Sequence, residues 1–94
     1  MEGHSHISPE VLARYAGDAA REVRGVRRVV EGVRKGIRVD GDTVDLHLAL
    51  DWNASAPDVG AEVQRRVADY LARMADVRPA TVNVVVEEIG GDGS

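Results

Sequence analysis

The sequence predicts an α+β fold: a two-layer sandwich with two helices on one face of a small, mainly antiparallel sheet. Three observations predict it. Residues 8–25 and 57–76 carry apolar side chains at three- and four-residue spacing, as helices with one buried stripe require. Between them, apolar residues alternate with polar or small ones around an Asp-Gly turn signal, the pattern of a β-hairpin with one buried face. Last comes the short β-branched run "ATVNVVVEEI", which reads as a final strand.

The first helix opens at Ser8, whose hydroxyl can accept from an otherwise orphan N–H, with Pro9 at the first helical position and Glu10 where the helix dipole favours an acid. Val11, Leu12, Tyr15, Ala16, Ala19 and Val23 form its buried stripe, and Gly25 is the expected stop. In the hairpin, Ile37 and Val39 precede the turn and Val44, Leu46, Leu48, Leu50 and Trp52 face the core. Asp45, His47, Ala49 and Asp51 then point the other way, because successive strand side chains alternate. The second helix, announced by Pro57 and Asp58, buries Val59, Val63, Val67, Tyr70, Leu71 and Met74 and should end near Asp76. The last strand places Val82, Val84 and Val86 on one face and Asn83 and Val85 on the other.

Segment 26–36 reads two ways. Val26, Val29, Val30 and Val33 have helical spacing, but Gly25, Gly32 and Gly36 oppose a sustained helix. A short extra strand over 26–30 is the reading preferred, with Val26, Arg28 and Val30 on one face and Arg27 and Val29 on the other.

Ninety-four residues with 44% hydrophobic content describe one domain over 6–89, between flexible termini at 1–5 and 90–94. The aromatics are Trp52, Tyr15 and Tyr70 alone, so the core must be a thin aliphatic layer with little room for a large ligand cavity. Cysteine is absent, which excludes disulfides, thiol catalysis and cysteine-ligated metal sites. No signal peptide is evident, and no window approaches the about 18 apolar residues of a membrane span. The expected address is the cytoplasm, with any membrane association peripheral.

Three blocks, "ISPEVLARYAGDAAREVRGV", "DWNASAPDVGAEVQRRV" and "VRPATVNVVVEEI", stand in an order and spacing that resembles the alkaline-shock-protein, or general-stress, family of bacteria. The resemblance covers roughly residues 6–89, nearly the whole chain. It implies a small cytoplasmic non-enzymatic protein tied to envelope stress, held beneath the membrane in some bacteria by a membrane-anchored partner. That family has no agreed catalytic residues, so no catalytic site carries over. The chain departs from many members between Val26 and Ile37, where they often have a longer, glycine-rich connection.

Two candidate sites follow. The first is the open sheet face, where Asp45, His47, Ala49, Asp51, Asn83 and Val85 are placed for contact with another copy or a protein partner. Homo-oligomerisation is the expected outcome. The second is a basic segment within a chain of net charge −4: residues 21–38 hold seven basic side chains against Glu22 and Glu31. There Arg24, Arg27, Arg28, Arg34, Lys35 and Arg38 could attract an anionic partner or merely keep a valine-rich connection solvated. Nucleic-acid binding through that segment is the rival class. Against it stand a pI near 5.3, no exposed aromatic platform and no GxxG loop between helices. His4, His6 and His47, with Asp45 and Asp51, would make an N/O ligand set if the N-terminus crossed the outer sheet face, but the preferred reading is a mobile terminus for His4 and His6 and a surface strand residue for His47. No cofactor or resident metal is expected. Ser8 and Ser55 read as helix-entry residues, not nucleophiles, and the carboxylates are scattered, so no enzyme is expected.

Overall fold

In the computed structural model, which describes residues 7–90, the element order is α1 (Pro9–Arg21), β1 (Val26–Val29), β2 (Ile37–Asp40), β3 (Thr43–Leu50), α2 (Ala56–Ala75) and β4 (Thr81–Ile89). This is the expected α+β sandwich, with both helices on one face of the sheet.

Both helix starts follow from local chemistry. The Ser8 hydroxyl accepts from the Val11 N–H at 3.2 Å, and the Ser55 hydroxyl accepts from the Asp58 N–H at 3.4 Å. Each helix has proline in its first turn. Helix α2 ends as expected, with Asp76 in the left-handed conformation at φ 54°. Helix α1 ends sooner than expected. It stops at Arg21, and the Glu22 and Val23 N–H groups bond back to Ala19 and Ala20 in a tightening turn that sinks Val23 into the core. Gly25 therefore serves the entry to β1 rather than the helix end, at φ +101°.

Strand β3 is the centre of the sheet. Along one edge it pairs antiparallel with β1 and β2 in succession, and along the other it pairs parallel with β4 over its full length. The α2 crossover supplies the parallel connection. Strands β1 and β2 are one edge strand with an excursion: the His47 carbonyl accepts from Val30 N–H at 2.8 Å, while the His47 N–H donates to the Gly36 carbonyl at 3.0 Å. Gly36 N–H also donates to the Val30 carbonyl, closing the neck of a loop over residues 31–35.

The core lies between this sheet and the helices. Leu46, Leu48 and Leu50 of β3 are fully buried against Ala16 and Ala20 of α1 and Val63, Val67 and Leu71 of α2. Tyr15 and Tyr70 meet edge to face across the two helices, with ring centroids 5.9 Å apart.

Two core expectations are corrected. Trp52 is 74% exposed because β3 ends at Leu50 and the chain turns before the alternation can place the indole inward. Met74, in the final turn of α2, is 49% exposed. The extra strand at 26–30 exists as Val26–Val29, but a bulge between Val26 and Arg28 shifts its faces. Val26 and Val29 face the core and Arg28 faces outward, instead of sharing a side with Val26.

Candidate interaction face

Register places the outward residues in rows that run across the sheet. Directly opposed residues share a face, so each row can be read from the pairing. At one end, Arg38 lies opposite Asp45, and Asp45 lies beside Asn83, whose amide donates to Asp45 Oδ1 at 2.8 Å. At the other end, Arg28, Ala49 and Glu88 form one row. Arg28 Nη2 donates to both Glu88 oxygens, at 3.1 and 3.2 Å. The bond joins the two strands that flank β3, and the short Ala49 side chain leaves the room for it. Ala49 is fully buried beneath, outside the main core.

The middle row holds His47 and Val85. Glu87 continues the outward row of Asn83 and Val85 by strand alternation, and the register shift after Leu48 and Val86 adds Glu88, opposite Ala49, to the same face. His47 Nδ1 donates to Glu87 Oε2 at 2.8 Å, and Lys35 Nζ lies 3.3 Å from Glu87 Oε1. Chiefly the His47 hydrogen bond, and then the Lys35 ammonium, hold the Glu87 carboxyl below the usual carboxylate range against the opposing effect of its partial desolvation. Lys35 belongs to the excursion, so this cluster fastens the loop to the far edge strand.

The expected contact residues are thus only partly brought together. Asp45, His47, Asn83 and Val85 share the open face, and Val85 is 40% exposed. Ala49 points outward as expected but is covered, so it offers no contact surface. Asp51 lies past the end of β3, its N–H spent on the Gly25 carbonyl. Sequence reasoning missed Glu87 and Glu88 as members of this face. Glu87 was within reach of the same alternation that places Asn83 and Val85 outward, whereas Glu88 was not, because the bulge that turns it to this face cannot be read from spacing alone.

The basic segment does not form one patch. Arg28 and Lys35 are paired with β4 carboxylates, and Arg27 Nη1 donates to the Gly90 carbonyl at 2.7 Å. Among the described residues, Arg24, Arg34 and Arg38 have no ion-pair partner, and they stand apart. Arg24 lines a groove with Val59 and Glu62 of α2, Arg34 lies on the excursion, and Arg38 lies on β2 beside Pro9. His4 and His6 lie outside the described residues, and His47 turns to Glu87 rather than to Asp45 or Asp51. No group of three metal-ligating side chains occurs among the described residues. Within the same residues, no helix is long and apolar enough to cross a membrane.

The fold is shared with solved structures of MamM CTD variants. One superposes with a TM-score of 0.62 at 20% identity, covering 96% of this chain and 100% of that one. Another gives 0.57 at 20% identity over 88% of this chain and 83% of the other. No family model matches the sequence. Spy1535 of Streptococcus pyogenes serotype M6, an uncharacterized protein, is 29% identical over 93% of this chain and 79% of its own length. The uncharacterized protein YqhY of Bacillus subtilis (strain 168) is 31% identical over 96% of this chain and 79% of its own length. At that identity and coverage, the chain belongs to the family of bacterial proteins that includes YqhY.

Proposed function

We propose that this chain acts without catalysis, by associating with itself and with protein partners, as a cytoplasmic stress-response protein of the alkaline-shock kind. The observation that carries association is the uncovered half of the sheet. Among the described residues, one face of β3 and β4 has no helix over it, and β4 has a neighbour on one edge only. Val85 on that face and Ile89 at the strand end are 40% and 54% exposed. An exposed, valine-rich edge strand is a ready template for pairing. The stress and envelope part of the reading rests on the sequence blocks that resemble the alkaline-shock family, and it places the chain at the membrane through a membrane-anchored protein.

Light scattering across a wide concentration range tests association. The apparent mass should rise with concentration, and Val85→Asp should suppress the rise. A constant monomer mass that Val85→Asp leaves unchanged would sink the proposal. For the route to the envelope, sedimentation should be equally low with anionic and neutral vesicles, because the partner is a protein. Selective capture by anionic vesicles would point instead to lipid.

A further inference from the structure

We propose that the contact is strand to strand: two copies of this chain pair antiparallel along the free edge of β4, with Val84 on the two-fold axis. This rests on the association reading above and names its site.

Three observations carry it. The first is which backbone groups are free. In a parallel pair, alternate residues aim both backbone groups at the neighbouring strand. Gln64 of α2 donates to the Val82 carbonyl at 2.9 Å, so Val82 faces away from β3. By alternation Val84 and Val86 do too, up to the irregularity that follows Val86. Among the described residues, no other strand pairs along that side. The Val82 carbonyl has two lone pairs and can keep Gln64 while accepting from a second strand.

The second is self-complementarity. With Val84 opposite Val84, Val82 lies opposite the second copy's Val86, and Asn83 opposite its Val85. All three core-side rows are then valine on valine, burying side chains that are only half-buried in one copy. Glu87 and Glu88 fall opposite the second copy's Thr81 and Ala80, so no carboxylate meets another. The bulge after Val86 ends the ladder before those acids.

The third is space. The flank of α2 that carries Gln64 also carries Gly60, Ala68 and Ala72 at four-residue intervals. Gln64 lies along its own strand on the Val82 carbonyl and the other three positions are small, so two such flanks can approach above the joined strands and a sheet continuous through both copies can form.

The chain has no cysteine, which makes the register directly testable. Asn83→Cys and Val85→Cys chains are mixed under oxidised glutathione, and their cross-linking is compared with that of each variant alone. Opposed residues come within disulfide reach, whereas like positions stand about 7–8 Å apart, so the mixture should cross-link at least about fivefold faster. On the unsubstituted chain, amide exchange at Val84 and Val86 should slow as concentration rises. A concentration-dependent mass with no advantage for the mixture and unchanged exchange at Val84 would overturn strand pairing and leave association standing. A monomer at every concentration would overturn both.

Discussion

At Gly25 the backbone takes φ +101°, and a Cβ there would meet Val59 Cγ2 at 2.8 Å. Both facts select glycine, one through the left-handed conformation and the other through the packing of α2. Gly25→Ala should therefore lower stability by more than about 1 kcal/mol, read as a drop in the denaturant midpoint with an unchanged slope. Ala49 is constrained by a different cause. It lies under the Arg28–Glu88 bridge, with no exposed surface. Ala49→Leu should cost about 1–3 kcal/mol through overpacking. Arg28→Ala should cost under about 1 kcal/mol, because both partners of that ion pair are half exposed. Equal losses for the two changes would show that Ala49 is not the residue that sets the spacing. Ser8 was legible as a cap from its neighbours Pro9 and Glu10 alone, and Ser8→Ala should cost about 1 kcal/mol of thermal stability.

Among the elements, the edge strand and its excursion need the most explanation. Residues 31–35 leave the sheet between two bonds to the same His47 backbone, and the loop returns through Gly36. Lys35 then reaches Glu87 on β4, which His47 also holds. Since the folded Glu87 carboxyl titrates below its ordinary value, the unfolded chain binds the proton first as pH falls. Its contribution is complete above the ordinary carboxylate range and is lost as pH falls through the lowered folded value. Glu62 behaves alike, held down by Arg65 and then Arg66. Glu87→Gln should flatten part of the acid limb of a stability–pH curve and leave the neutral-to-alkaline limb unchanged. An acid limb identical to that of the unsubstituted chain would show that the cluster does not form. The hairpin, the face of β3 and the outward side of Glu87 could be read from alternation, but the shifted faces of β1 and the position of Glu88 could not. A bulge adds one residue to one strand of a pair, and only the partner strand reveals where.

At the scale of the whole molecule, the basic segment loses its apparent meaning. A cluster in sequence becomes separate surroundings in space, because a helix end, a broken edge strand and a loop carry its side chains in different directions. Paired arginines and a net charge of −4 oppose a phosphate-binding surface. Gel retardation of a labelled oligonucleotide at low salt should show no shift. A salt-dependent shift that Arg24→Glu, Arg34→Glu and Arg38→Glu together abolish would restore the nucleic-acid reading.

The amino-acid sequence by itself determined the class of fold, the helix starts, the hairpin and the core face of β3, since each depends on neighbours a few residues apart. It also placed Asp45, His47, Asn83 and Val85 on one surface, because strand alternation is local. Tertiary structure alone decided that Ala49 is covered, that Trp52 is exposed, that Glu87 and Glu88 gather Lys35, His47 and Arg28, and that among the described residues β4 is left with a free edge. Those outcomes depend on which strands lie side by side, and the same local pattern is compatible with several such arrangements.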